Sequence, residues 1–460
     1  MIIDMREKKK PELLCPASSL EVLKCAVRYG ADAVYIGGEN FGLRAKAKNF
    51  SHEDMAEGIS FAHAAGVRVH VTANILAHNY DLAGAREYFR ELKDLGPDAL
   101  IVADPGMYSI CREEWPEAEI HISTQANNTN YETYRFWWKQ GAKRVVSARE
   151  LSLREIAEIR ANIPDEMEIE SFVHGAMCIS YSGRCLLSNY FTGRDANHGA
   201  CNHPCRWKYN AYEMTENSPF ETSDGEIKYA IEEESRPGEY LPVYENERGT
   251  YIFNSRDLCM IEHVPELVEA GIDSWKIEGR MKTALYVATV ARTYRKAIDD
   301  FFESPEKYKE NLPWYREQIA KCTYRKFSTG FFFGKPDEDS QIYDNNTYSS
   351  DAIFLAIPDR EARAHISGRE VTLTGFEQKN KFSVEDTVEI MRPDGSDVST
   401  KVLSMYHVCD GGRFEKDVEE RVEIEGQQCM PAESCPHAGE RVWAEFSIAP
   451  EAGDILRVTM

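Results

Sequence analysis

Residues 29–37 read YGADAVYIG. A glycine closes a helix-like segment, and a short apolar run follows within a few residues. The same phrase returns as AGVRVHVTA from Ala65, LGPDALIVA from Leu95, QGAKRVVSA from Gln140 and AGIDSWKIEG from Ala270. Glycine just past a helix takes the left-handed cap conformation cheaply. Runs this short and apolar fit strands covered on both faces, as in a parallel sheet. A helix that stops, turns and feeds a buried strand, five times over, is a repeating β/α unit.

Working outward from the repeats, strands are expected near Glu12–Pro16, Ala33–Gly37, Arg68–Ala73, Ala99–Ala103, Glu119–Thr124, Arg144–Ala148, Glu168–Val173 and Ser274–Glu278. Eight such units in roughly 300 residues fit a (β/α)8 barrel of the TIM type. An open doubly wound sheet is the alternative, but no G-x-G-x-x-G turn follows the first strand. Ser18 before Glu21 and Ser152 before Glu155 have capping-box spacing. Leu82, Ala85, Phe89 and Leu92 share one helical face, as do Leu153, Ile156, Ile159 and Ile163 at looser spacing, and Thr283 to Phe302 reads as a long last helix.

The barrel is expected over residues 1–335, with an insertion at about 174–255 between strands seven and eight. Residues 336–350 read as a polar linker. From Asp351 to Met460 the pattern changes to short alternating runs such as EVTLTG and RVWAEF, separated by turn pairs, which fits a small all-β barrel or sandwich. With 460 residues the chain is long enough for two or three domains. No apolar run approaches the roughly 20 residues of a membrane span, so no membrane partner is expected. MIIDMREKKKPELL lacks the apolar region of a signal peptide, and a cytoplasmic location with reduced thiols is expected. The formal net charge of −23 argues against a protein that coats nucleic acid, though not against a local basic patch.

Strand seven runs into ESFVHGAMCISYSGRCLLSNYFTGRDANHGACNHPCRWKY, which carries Cys178, Cys185, Cys201 and Cys205 at spacing C-x6-C-x15-C-x3-C. Thiolates bind zinc or iron–sulfur clusters. Only Cys201 and Cys205 have the short spacing of a zinc knuckle, and the wide first gaps suit a cluster. The bland alternative is that some of these are buried free thiols. Barrels of this type carry their active site at the C-terminal ends of the strands. Those ends offer Cys15, Arg44 with Lys46 and Lys48, Asn74, Asp104, His121, Gln125 with Asn127, His174, and Lys276 with Glu278 and Arg280. His174, Asn74, Gln125, Lys276 and Glu278 are the catalytic candidates. Cys178 with His174 could also form the nucleophile pair of a thiol peptidase, although no H-E-x-x-H or G-x-S-x-G motif is present.

ESFVHGAMCISYSGRCLLS resembles the signature of the collagenase-like peptidase family U32. So do ELLCPA, YGADAVYIGG, GPDALIVADPG, HISTQAN, RVVSARELS, NSRDL and KIEGRMK across the barrel. RDANHGACNHPCRWKY and RPGEY resemble the tRNA-hydroxylating branch of that family. The resemblance implies an iron–sulfur-dependent, O2-independent RNA hydroxylase. Its product would be 5-hydroxyuridine at the tRNA wobble position, with prephenate as co-substrate. It also implies a [4Fe–4S] cluster on Cys178, Cys185, Cys201 and a fourth cysteine, either Cys205 or Cys259. Arg44, Arg184 and Arg280, with Lys46, Arg194, Arg206 and Lys276, become candidates for phosphate or prephenate contacts. The anticodon region of tRNA and a second U32-family protein are the implied partners. "Peptidase" and "protease" are the family's historical labels. A peptidase using a Cys/His site, and a zinc-stabilised non-catalytic RNA-binding protein, are the competing readings.

Overall fold

The computed structural model describes residues 9–38, 50–178, 181, 188, 201, 204–207, 209–213, 229–233, 240–243, 256–334, 350–409, 421–434 and 436–459. Seven strands come first: β1 (Glu12–Pro16), β2 (Ala33–Gly37), β3 (Arg68–Ala73), β4 (Ala99–Val102), β5 (Ile120–Ile122), β6 (Arg144–Val146) and β7 (Glu168–Gly175). The insertion contributes β8 (Tyr209–Glu213), β9 (Tyr229–Glu233) and β10 (Tyr240–Val243), an antiparallel sheet of their own. Next come β11 (Asp257–Cys259), β12 (Ser274–Ile277) and β13 (Phe327–Ser328). Strand β12 pairs in parallel with both β7 and β1, so β1 to β7 and β12 close into a parallel barrel of eight strands. The open-sheet alternative is excluded by that closure.

The repeat works as its glycines foretold. Gly30, Gly66, Gly96, Gly141 and Gly271 all have φ between 68° and 102°, in the left-handed region that turns each helix into the next strand. The helices are α1 (Leu20–Arg28), α2 (His52–Ala64), α3 (Ala85–Leu95), α4 (Pro105–Glu114), α5 (Tyr131–Lys139), α6 (Leu153–Ala161), α7 (Val264–Glu269) and α8 (Ala284–Glu303). Ser152 and Glu155 form the expected capping box. At α1 the cap is Ser19, not Ser18, because the Ser19 hydroxyl accepts from the Val22 N–H. Leu82 precedes α3 and is 38% exposed, so the apolar face of that helix begins at Ala85.

The barrel interior departs from the branched aliphatic filling usual in this fold. Arg144 donates to Glu12 at 2.5 Å, to Glu168 at 2.6 Å and to Glu170 at 3.2 Å. Glu170 also accepts from Lys276 at 2.6 Å, and Glu12 from the Ser274 hydroxyl at 2.8 Å. Burial, the largest single influence, would raise the Glu12 carboxyl, but the Arg144 charge, His70 and the hydrogen bonds from Arg144 and Ser274 together outweigh it and hold the group well below the carboxylate range. Every carboxylate in this cluster faces a cation, which is the condition for keeping charge inside a protein.

After α9 (Pro305–Glu310) and α10 (Leu312–Ala320) the chain leaves the barrel. The C-terminal strands are β14 (Ala352–Ile366), β15 (Arg369–Gln378), β16 (Thr387–Met391), β17 (Asp397–Val408), β18 (Val422–Ile424), β19 (Gln427–Pro431), β20 (Arg441–Phe446) and β21 (Ile455–Thr459). Strand β16 pairs with both β21 and β17, closing β16-β21-β14-β15-β20-β17 into a small antiparallel barrel, with β19 and β18 as an extension. It docks on the first barrel through a buried polar cluster. Arg292 of α8 donates to Asp397 at 2.8 Å and to Gln318 at 2.6 Å, and Arg457 donates to Asp397 at 2.9 Å and to Glu389 at 2.5 Å. Tyr29 adds a hydrogen bond to the Met391 carbonyl at 2.7 Å. The polar stretch at residues 335–349 lies outside the described residues. Among them, no helix is long and apolar enough to cross a membrane.

Candidate active site

Three strand ends define the floor of the mouth. On β12, the Lys276 ammonium lies 4.4 Å from the centre of the Tyr35 ring and 5.4 Å from that of Phe172. Burial lowers its pKa, with Glu170 opposing the shift. Arg280, four residues on, donates to the Thr72 hydroxyl across the barrel at 3.0 Å. Strand alternation puts His70, Thr72 and Asn74 on one inward-facing row. Asn74 therefore stands above the Arg280 contact, and its amide donates to the Ser123 hydroxyl at 3.1 Å. Gln125 follows in the short turn after β5, its backbone N–H also donating to that hydroxyl at 3.3 Å.

Opposite β3 and beside β12, β7 ends and the cysteine loop begins. Gly175 has φ +112°, and a Cβ there would lie 2.5 Å from the Glu278 carbonyl oxygen, so only glycine fits where the two chains cross. Arg149, just past β6, holds the first residues of the loop. It donates to the Ala176 carbonyl at 2.7 Å, places its guanidinium carbon 3.9 Å from the Phe172 ring centre and reaches Glu278 at 3.4 Å. Two residues beyond Ala176, Cys178 is exposed, while Cys201 and Cys205 are half-buried. On the rim, exposed Tyr80 stacks on His78 with ring centres 5.4 Å apart.

The structure thus brings Asn74, Gln125, Lys276, Glu278 and Arg280 to the mouth. Four other expected members of the ring are elsewhere. Cys15 is buried in the layer between strands and helices. Asp104 caps α4, accepting from the Met107 N–H. His121 lies deep in the barrel, edge-on to His70 at 4.8 Å and bonded to Glu119 at 2.8 Å. His174 is turned out by a shift of register between β7 and β12, where Phe172 pairs with Lys276 but His174 with Ile277. Such a bulge re-aims the side chain that follows it. The His174 ring packs among Tyr286, Tyr294 and Phe327, and burial lowers its pKa to about 3.

Cys259 sits on β11 opposite His174. Burial pushes its thiol up to about 12, against hydrogen bonds that include the Tyr294 hydroxyl. Asn127 turns in the left-handed region at φ 55°, its amide donating to the Gln125 carbonyl at 2.8 Å. Arg44, Lys46, Lys48, Arg184, Cys185, Arg194 and Cys435 lie outside the described residues, as does most of the acidic insertion; of Arg206 only the backbone is described. Arg149, Tyr35, Phe172 and Ser123 were not singled out from sequence. The signal for Arg149 was its place directly after strand six, within the SARE phrase.

The sequences of the barrel and of the C-terminal strands both match models of one family. The chain belongs to peptidase family U32, whose sequence model matches residues 18–342, and the family's C-terminal domain matches residues 364–457. It is 41% identical over 386 residues to tRNA hydroxylation protein P1 of Bacillus subtilis, covering 84% of each chain. It is 42% identical over 410 residues to tRNA hydroxylation protein P of Escherichia coli, covering 84% of this chain and 87% of that one. The Escherichia coli 23S rRNA 5-hydroxycytidine C2501 synthase is 35% identical over 338 residues, 73% of this chain and 47% of that one.

Proposed function

We propose that this chain is an RNA-modifying hydroxylase that converts the wobble uridine of tRNA to 5-hydroxyuridine. In this reading a [4Fe–4S] cluster is held by the cysteine loop, prephenate accompanies the reaction, and molecular oxygen is not consumed. One observation carries it: a loop bearing exposed and half-buried thiols leaves the barrel mouth, in a chain 41% and 42% identical over most of its length to two tRNA hydroxylation proteins.

The donor chemistry fits such a cluster. Cys25, Cys111 and Cys429 are packing residues whose thiols burial raises to about 12, 12 and 11. Cys15 and Cys322 are buried in the same way. Cys178, Cys201 and Cys205 are more exposed, and as thiolates they offer the soft sulfur that iron takes. Among the described residues no three His, Cys, Asp or Glu side chains are placed to hold a metal ion, and Cys185 lies outside that set. The ligand set therefore rests on the C-x6-C-x15-C-x3-C spacing and on the family. We assign the fourth position to Cys205, because it belongs to the same loop as the other three cysteines and the CRWKY around it resembles the tRNA-hydroxylating branch. A cluster bound there supplies redox or Lewis-acid chemistry at the mouth.

The chain's own side chains do the binding. Arg149 and Arg280 present planar forks suited to the carboxylates of prephenate or to a phosphate. The Tyr80–His78 stack on the rim offers a platform for a neighbouring base, since single-stranded RNA is gripped by stacking. An unpaired base enters such a mouth at little unstacking cost. The thiol-peptidase reading gains nothing from the geometry, because His174 is enclosed by aromatic rings with its pKa lowered to about 3.

The test is purification without oxygen, an assay of iron and sulfide, and nucleoside analysis of tRNA. The tRNA comes from cells lacking every paralogue, with and without this chain. Iron and sulfide together with restored 5-hydroxyuridine derivatives support the reading. A protein without iron, or unchanged tRNA, refutes the cluster or the substrate respectively.

A further inference from the structure

The outer wall of the first barrel carries an open cavity of about 610 Å³ that shares no lining residue with the mouth. One side is the start of α6, where Arg154 and Ala157 lie one turn apart and face the cavity. The other side is α7, where Glu266 and Glu269 do the same. Phe332 and Phe333, from the turn after β13, form the floor. That turn is fixed to α6, because the Leu153 N–H donates to the Phe332 carbonyl at 2.9 Å. Small-molecule sites occupy roughly 300–1,000 Å³, and this cavity falls within that range. Phe332 is 8% exposed, but Phe333 is left 55% exposed, its ring centre 4.7 Å from that of His263. Aromatic surface left open at a concave site is surface that a ligand can cover.

The two sides are opposite in charge. Arg154 and Glu269 are exposed, and among the described residues neither enters an ion pair. Glu266 meets His263 at 3.3 Å. A guanidinium and two carboxylates therefore border one aromatic floor without closing on each other. We propose that this cavity binds a free aromatic amino acid. Its carboxylate would pair with Arg154, whose planar fork matches that group. Its ammonium would pair with Glu266 and Glu269, and its ring would lie on Phe332 and Phe333. Charge complementarity selects this class. A residue inside a peptide chain has lost both charges to its peptide bonds, and only the free amino acid carries the pair on one carbon. A phosphate would meet two carboxylates, and like charges brought together reject a partner. The site stands apart from the chemistry proposed above and needs neither the cluster nor RNA.

The test is isothermal titration of the anaerobically purified full chain with L-phenylalanine, phenethylamine and 3-phenylpropanoate. The second compound lacks the carboxylate and the third the ammonium. L-Phenylalanine should bind saturably, and each of the others at least about tenfold more weakly. Ala157→Trp should fill the cavity and abolish binding, while its melting temperature stays close to wild type, because Ala157 is exposed on α6. If that variant does not fold, Arg154→Ala changes only an exposed side chain and should weaken L-phenylalanine at least about tenfold. Absence of saturable binding to wild type overturns the inference. So does equal affinity for the three compounds, which would mean that the charges are not read. Undiminished binding in the variants also overturns it, because the amino acid would then sit elsewhere. Iron content and tRNA modification play no part in this readout, so its failure leaves the hydroxylase reading untouched.

Discussion

Arg149 sits over Phe172, its guanidinium carbon 3.9 Å from the ring centre, and from that position donates to the Ala176 carbonyl at 2.7 Å. The pair links the end of β6 to the point where the cysteine loop leaves β7. The stacked cation contributes about 0.5–2 kcal/mol, and the charged hydrogen bond about 1.5–3 kcal/mol. Arg149→Ala should fold but hold the loop loosely. Iron per chain after anaerobic purification should fall by at least about half, and Arg149→Lys, which keeps charge but loses the planar fork, should recover only part of it. Full iron occupancy in Arg149→Ala would remove the positioning role.

Gly175 is a second point of control. A methyl group there would meet the Glu278 carbonyl at 2.5 Å in a backbone conformation that L residues rarely adopt. Gly175→Ala should cost at least about 2 kcal/mol from strain and displacement of the crossing chain. Urea unfolding at neutral pH measures this, and a change under about 0.5 kcal/mol would show that the crossing adapts.

The cysteines separate by consequence. With Cys205 as the fourth ligand, Cys205→Ser should lose most of the visible absorbance of the cluster while Cys259→Ser keeps it. Cys178→Ser and Cys185→Ser should behave as Cys205→Ser does. The reverse result for the first pair would mean that the Cys259 thiol leaves Tyr294 and ionises on binding metal, against the burial that pushes it up to about 12.

His174 gives a pH signature. Its pKa is about 3 in the folded chain against an ordinary value of 6.5. Between those values the unfolded chain carries the extra proton. Stability is therefore fully present above pH 6.5 and is lost as pH falls toward 3, at about 1.4 kcal/mol per pH unit once well below 6.5. Buried His70 and His121, also lowered well below their ordinary value, act in the same direction. His174→Gln should flatten the decline in denaturant stability between pH 6 and 5, and an unchanged slope would show that His174 does not titrate on unfolding.

The barrel was legible because its signals are local. A left-handed glycine after each helix and a short apolar run need only adjacent residues to be read. Asn74, Gln125, Glu278 and Arg280 were legible for a related reason: strand ends in this fold converge on one face. His174 was expected on that face from its position alone, and the register shift that turns it away depends on β12, a hundred residues later. His121 misled because β5 is only three residues long, too short for alternation to show how deep its side chain lies. Arg149 was overlooked because a residue between a strand and a helix cap looks like a connector. Its role appears only when Phe172 and Ala176 are in place. The charged barrel interior escaped notice because each strand contributes only one or two inward charges, and they balance only in three dimensions.

The contact between the two barrels has a bearing on how the chain is made. Glu389 and Asp397, the carboxylates that Lys321, Arg292 and Arg457 converge on, both belong to the second barrel. Synthesis delivers Arg292 and Lys321 first. Until about seventy more residues have been added, these two cations remain hydrated on the flank of a finished first barrel, with no anion from the second to draw them in. Docking is thus scheduled last, and a ribosome stalled before residue 389 leaves a barrel whose flank shows these two cations beside the apolar surface that Met391 and Ile455 later cover.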